Sequence, residues 1–579
     1  MSISDSAVLD LCEEVWQWQL RESPELGTFC GLHHNDDDWD DISVEAFRRR
    51  EKDLQDFLKK GERIDTNSCI PEVLLSYTLL LDNIKLYLQG LKFKSYLLPI
   101  SYMEGIQTEC DLMISFMKFN TKEDFNKYIK RLERLPHKVE QVLEALRQGI
   151  QEDVVYHSAS VIDVPRQINL IVTTPFEKHG FLMPFRGKLP EIEKAELDQL
   201  RLKAEEVLRL KIIPSCLKLK DFIENVYFKH LRPKEGINSL KDGDLWYQQC
   251  LNFYLSCSMT PQEVHELGLK EADRIEKRIL ELAAIEGLGR TFQEISAAIT
   301  RRQRNSFSTP DEVVDYIRNL CYNIIRPKIT QNFKNLSDIP MIIKPVPESR
   351  KSSPIAYYYN GTPDGSREGC FYINNHHLEE CYPFQLTAVA LHEGEPGHHL
   401  QGTMALSAKK LPNFRRYSDN GKYSIIPAKF SSNTAYMEGW GLYAEYLGEE
   451  LNLYQNNLEL IGRYSCESLR AARLVVDSGL HAFGWSREQA IQFMVDHTLT
   501  SRSEVTKEVD RYITIPGQAC AYKVGEIKIR ELRQKAELRL GNKFEIKEFH
   551  HQILSCGRIP LRTLEKIVDD YICEVESKC

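Results

Sequence analysis

The sequence predicts a mainly α-helical protein with one small β-sheet, and three observations carry that expectation. Long stretches of the first 335 residues place apolar side chains three and four positions apart. Between about 338 and 375 the texture changes to short β-branched and aromatic runs. From about 383 the helical spacing returns and continues to the end.

Taken in order, helices are expected over 7–20, 122–146, 191–210, 261–282 and 310–332. The last opens with Thr309 as N-cap and Pro310 in the first turn, where a missing N–H costs nothing. Strands are expected in the runs beginning at Ile339, Ile355 and Cys370, the last two flanking Asn360, Gly361, Pro363, Asp364 and Gly365, which is strong turn chemistry for a hairpin. The His376-His377 doublet that follows has no carboxylate cluster beside it and reads as a surface loop. A loop over 411–429 interrupts the C-terminal helices. The domain expectation is a single integrated unit, with 1–335 a helical lobe building a wall and 336–579 carrying the sheet and the chemistry.

The 579 residues carry 75 Lys+Arg against 84 Asp+Glu and are 42% hydrophobic, which excludes disordered and collagen-like chains. A net charge of −9 without a basic cluster excludes a dedicated nucleic-acid binder. No apolar run reaches the roughly 18 residues of a membrane span. The N-terminal residues lack a basic segment followed by an apolar one, so no signal peptide is expected. The odd count of 15 cysteines, with no C-x-x-C pair, reads as free thiols in a reducing compartment and a cytoplasmic location.

The most informative stretch is 392–401, HEGEPGHHLQ, preceded by an apolar run. Two histidines with a glutamate beside the first are the ingredients of a zinc-hydrolase helix, in which H-E-x-x-H puts both imidazoles on one face. Here the spacing differs. His392 and His398 lie about 240° apart on an unbroken helix, and His392 and His399 about 10.5 Å apart along it. Pro396 offers the solution, since its ring clashes with the His392 carbonyl four residues back and Gly397 permits unusual angles. A two-residue bulge there would bring His398 beside His392. Glu438 and Glu445, seven apart on a later helix, share one face; Glu438 would complete a His2Glu set with an open fourth position, and Glu445 would accept from a ligand imidazole. The alternative is a helix-ending Pro-Gly with surface histidines and a solvated pair of glutamates.

At these residues the chain resembles a zincin-like family catalogued as domain of unknown function 885, marked by H-E-x-x-P-G-H-H-x-Q and E-G-W-x-L-Y-A-E. Further matches surround Arg473–Trp485 and Arg511–Gly525, and the likeness spans most of the chain. It implies a two-lobed helical metallopeptidase fold of the thimet oligopeptidase and carboxypeptidase Taq type, with a deep channel and an edge strand that binds substrate backbone. It also implies His392, His398 and Glu438 as ligands of one zinc ion and Glu393 as base. Where family members show R-P-G in the hairpin, this chain has Arg367-Glu368-Gly369, which puts the substrate strand in question.

The mechanism expected of such a site needs a donor to the oxyanion, for which Tyr522, Tyr512 and His481 are the candidates and Tyr522 is favoured. Asp477, four residues before His481, could orient it or form a plain helix-surface pair. Arg367, Arg511 or Lys523 would suit a substrate carboxylate. The expected function is a zinc-dependent hydrolase of peptide or peptide-like amide bonds, acting on a small peptide or N-acyl amino acid, with no nucleic-acid or membrane partner and a homodimer left open. The competing expectations are a catalytically silent scaffold of the same fold and an amidase of modified amino acids.

Overall fold

The structure is a computed structural model and describes every residue except 1, 188–190, 337–338, 349–350, 352–353, 418–421 and 579. Part of the expected 411–429 loop therefore lies outside the described residues. The protein is mainly helical, with a three-stranded sheet.

Helices α1 (Ile3–Glu22), α2 (Lys122–Glu152) and α3 (Pro261–Glu286) contain the first, second and fourth expected segments. Each begins with a reciprocal capping box, Ser2 with Asp5, Thr121 with Asp124 and Thr260 with Glu263, which satisfies amide groups that the first turn leaves without partners. The segments expected over 191–210 and 310–332 are not uniform helices. The first runs as Lys194–Val207, a wide π turn Leu208–Ile212 and a helix Ile213–Asn225; the second as Pro310–Asn319, a π turn Leu320–Ile325 and Arg326–Ile329. Each wide turn ends two residues before a proline, Pro214 or Pro327, which has no N–H to continue the regular ladder.

The sheet consists of β1 (Met341–Pro345), β2 (Ala356–Tyr359) and β3 (Gly369–Ile373) in the order β1-β3-β2. β2 and β3 form the expected antiparallel hairpin, with Tyr359 opposite Cys370, and β1 pairs with β3 in parallel. Six helices follow that matter for the site: α4 (Pro383–Glu393), α5 (His398–Ser407), α6 (Thr434–Glu450), α7 (Asn457–His481), α8 (Arg502–Thr514) and α9 (Ala521–Leu540).

Helix α6 crosses α9 at two glycines. A methyl group on Gly525 would sit 1.9 Å from the Ala435 carbonyl oxygen, and one on Gly439 would sit 2.5 Å from the Gly525 Cα. The bare backbones touch, so the position of α6, and of Glu438 on it, is set by the absence of side chains. One apolar cluster includes Trp16 of α1, Leu132 of α2, Phe371 of β3, Leu391 of α4, Trp440 of α6 and Leu564 near the C-terminus. Both halves of the chain thus build the same core. Of the fourteen described cysteines all are free thiols and eleven are buried. Among the described residues no helix is long and apolar enough to cross a membrane.

Candidate metal centre

Helix α4 is apolar nearly all round, with Leu386, Ala388, Val389, Ala390 and Leu391 all buried, as suits a helix enclosed by others. It stops at Glu393, and α5 begins at His398. The break is larger than the two-residue bulge expected: four residues, 394–397, leave the helix, including a cis Glu395–Pro396 bond. The His399 amide donates across the break to the Gly394 carbonyl at 3.1 Å. Gly397 folds back over the end of α4, where a methyl group would lie 2.0 Å from the His392 carbonyl oxygen. The two imidazoles consequently meet, ring centres 4.8 Å apart and planes at 89°.

Helix α6 supplies the carboxylates. Glu438 Oε2 lies 3.4 Å from His392 Nε2 and 3.4 Å from His398 Nε2, and the three donor atoms all fall within 4.8 Å of one another. Nitrogen and oxygen ligands about 2.0–2.2 Å from a tetrahedral zinc stand about 3.3 Å apart, so these residues fit such an ion. Two turns further along α6, Glu445 accepts from His392 Nδ1 at 2.8 Å, which leaves Nε2 to point at Glu438. Gly441 lies between them; a methyl group there would come 2.7 Å from the His392 ring, so only glycine leaves room for the imidazole.

The electrostatics follow from packing these charges together. Burial alone would raise Glu438, but hydrogen bonds to His392 and His398 overcome it and hold the carboxyl well below its usual range. Burial alone would lower His392, yet its bonds to Glu438 and Glu445 raise it to about 9. Glu393 is raised, by burial first, against the pull of His392 and His398. Its Oε2 is buried and has no hydrogen-bond partner. His399 takes no part: its Nε2 donates to the Ile339 carbonyl at 3.1 Å, its Nδ1 accepts from the Tyr358 hydroxyl at 2.9 Å, and burial lowers it to about 4.

Of the other residues read from the sequence, two keep partly exposed side chains. Tyr522 is partly exposed, with the Arg473 guanidinium 4.5 Å from its ring centre. Arg511 keeps a partly exposed side chain 3.5 Å from Glu508, and its Nε and Nη2 make no hydrogen bond. Five are corrected. His481 is fully buried, accepts from the Ile237 amide at 3.1 Å and donates to the Tyr512 carbonyl at 2.9 Å; with both nitrogens engaged and burial lowering it to about 3, it cannot serve an oxyanion. Asp477 does not orient it. Its carboxylate instead accepts from the Tyr247 hydroxyl at 2.7 Å and the Gly517 amide at 3.0 Å, holding the turn before α9, and it bonds neither ligand imidazole. Tyr512 is buried, its hydroxyl donating to Glu508 at 2.6 Å and accepting from Arg473 at 2.9 Å. Lys523 is fully buried against Glu467, Glu526 and Glu271 at 2.6, 2.8 and 3.1 Å, so no proton is left for a substrate. Arg367 donates to the Phe29 carbonyl at 2.7 Å and stacks on Phe116, which ties the hairpin to the N-terminal helices.

Tyr423 was not anticipated. It lies in the 411–429 loop, whose amides at Tyr423 and Ser424 donate to Glu104 at 2.6 and 2.7 Å. Burial first, then the charges of Tyr522 and Glu438, push its phenol well above the usual range, while Arg511 pulls the other way. The charges of Glu438 and Arg511 thus both act on this phenol.

The sequence matches, over residues 24–568, the family described as bacterial protein of unknown function (DUF885). No curated protein matches it. Among solved structures, one described as "the putative lipoprotein from Colwellia psychrerythraea" is similar with a TM-score of 0.91 and 23% identity over 99% of each chain. Another, described as "a putative lipoprotein of unknown function from Shewanella oneidensis", has a TM-score of 0.67 and 16% identity over 98% of this chain and 100% of its own. At these identities the likeness establishes a common fold and nothing about activity. The family match covers most of the sequence, and the chain belongs to the DUF885 family.

Proposed function

We propose that this member of the DUF885 family is a metal-dependent hydrolase of peptide or peptide-like amide bonds in short substrates, in which His392, His398 and Glu438 hold one zinc ion. The observation that supports this best is the single Glu438 oxygen 3.4 Å from both imidazole Nε2 atoms, together with Glu393, next in sequence to His392, whose Oε2 is buried without a hydrogen-bond partner. The finer fold assignment, two helical lobes around a channel in the zincin manner, belongs to the same proposal.

A zinc ion held by these residues supplies a water acidified toward neutrality and a Lewis acid for the scissile carbonyl. The remaining work falls to the chain. Glu445 fixes His392 as the tautomer protonated on Nδ1, which aims Nε2 inward. Glu393, made more basic by burial, takes a proton from the attacking water at Oε2 and passes it to the leaving nitrogen. Tyr522 and Tyr423 bring hydroxyl groups able to donate to the developing oxyanion.

The test is a panel of dipeptides and N-acyl amino acids incubated with purified protein before and after chelation, alongside elemental analysis. The expected outcome is one equivalent of zinc and hydrolysis that disappears with the chelator and returns on zinc addition. Protein that takes up no metal, or turnover indifferent to the chelator, would sink the proposal.

A further inference from the structure

Three guanidinium groups meet on the α7–α8 side of the proposed metal centre with more hydrogen-bonding capacity than the protein uses. Arg473 bonds Glu508 at 2.7 Å and Tyr512 at 2.9 Å and lies over Tyr522, yet its Nη1 is buried without a partner. Its side chain is only 7% exposed. Arg511 Nη2 stands 3.5 Å from the same Glu508, an ion pair without a hydrogen bond, while its Nε is buried without a partner and its side chain is 16% exposed. Arg470 is 3.8 Å from Glu445, the residue that steadies His392, and its Nε is likewise unpartnered.

Leaving charged donors buried and unsatisfied is costly, because the group gives up its bonds to water and gains none in return. A fold that concentrates three such nitrogens at one place next to its candidate reaction centre is arranged for an anion. The geometry of the donors identifies the kind. A guanidinium fork matches a planar carboxylate with two parallel hydrogen bonds. The location relates it to the metal donors, because Arg470 and His392 contact the same Glu445 oxygen.

We propose that Arg511, Arg473 and Arg470 bind a free carboxylate of the substrate, so that the enzyme acts at the C-terminal end of short peptides and on N-acyl amino acids and leaves internal bonds of long chains uncut. This rests on the hydrolase reading of the metal centre. In the cleavage, the C–N bond of the last amide breaks, the water oxygen joins the carbonyl carbon, and a water proton passes through Glu393 to the leaving nitrogen. The products are a shortened acid and a free amino acid.

Binding separates this proposal from the hydrolase reading. Calorimetry on zinc-loaded Glu393→Gln protein would use a panel of alanyl dipeptides, the same dipeptides as C-terminal amides, and inorganic phosphate. The free acids are expected to bind about tenfold to a hundredfold more tightly than the amides, the range of a hydrogen bond to a charged group. Arg511→Lys is expected to narrow that gap and Arg511→Gln to abolish it, with melting curves recording whether each variant is folded. Acids preferred in calorimetry but never hydrolysed by the wild type would refute the hydrolase and leave the carboxylate site standing. Acids and amides bound equally, acids not bound at all, or phosphate bound more tightly than any acid would overturn the site itself, and the wild-type comparison of acid with amide decides this even where a variant fails to fold.

Discussion

At the scale of single residues, the candidate metal cluster was readable because its residues are carried by short local strings. His392, Glu393 and His398 lie within seven positions, and Glu438 and Glu445 share one helical face. The long-range partners were not readable. Asp477 and His481 have the right spacing for a pair, but the side chains turn to Gly517, Tyr247 and Ile237, contacts up to 244 residues away. Lys523 looked free for a substrate, but Glu271 and Glu467 from other parts of the chain, together with Glu526 one turn on, occupy it. Tyr423 and Arg470 have no motif to mark them; their position depends on how the loop and α7 pack.

Two residue-scale predictions follow from these placements. Replacing Glu445 with Gln removes the anionic acceptor behind His392, so zinc affinity should fall about 10- to 100-fold, measured by competition with a chelating dye. Unchanged affinity would show that Glu445 does not tune the ligand. Asp477 concerns stability instead. Burial raises its carboxyl to about 7, against hydrogen bonds from Tyr247 and Gly517 that lower it. A raised acid holds its proton in the folded state while the unfolded chain has already lost it. The sign is therefore that stability is greater below the unfolded value of about 4 and falls as pH rises from there to about 7, by up to a few kcal/mol. Denaturant titrations at several pH values should show wild type losing stability across this window relative to Asp477→Asn. Parallel curves for the two proteins would contradict the assignment.

At the scale of elements, the helix break after α4 and the crossing of α6 with α9 together make the site. Pro396 announced an interruption, and the interruption is there; its extent, four residues with α5 restarting at His398, depends on Gly397 folding onto the His392 carbonyl, which residue spacing does not encode. The π turns before Pro214 and Pro327 have the same origin, a proline that widens a helix the apolar spacing would run straight through. The α6–α9 crossing is a matter of missing side chains. Gly525→Val puts a branched side chain where the Ala435 carbonyl lies 1.9 Å from the first carbon. Overpacking of this kind costs about 1–3 kcal/mol or more, so the melting temperature should drop. Because Glu438 is adjacent to the contact at Gly439, zinc affinity should drop with it. A variant that melts lower yet binds zinc as before would separate the crossing from the placement of Glu438.

At the scale of the whole molecule, the described residues among the first 335 contribute nothing to the candidate metal cluster, yet they are not a detachable wall. Their apolar side chains share one core with α4, α6 and the C-terminal helices, and Glu104 holds the loop that carries Tyr423. The mainly helical character was legible from the three- and four-residue spacing over long segments, and the hairpin from its turn residues. The parallel pairing of β1 with β3 was not, because it joins segments whose connection passes through β2. The most direct test of the proposed chemistry measures zinc content and peptide turnover in the same preparation of wild type and Glu393→Gln. The account predicts one equivalent of zinc in both and turnover at least about a hundredfold lower in the variant, the contribution of a positioned proton-transfer group. Equal turnover in the two zinc-loaded proteins would contradict it.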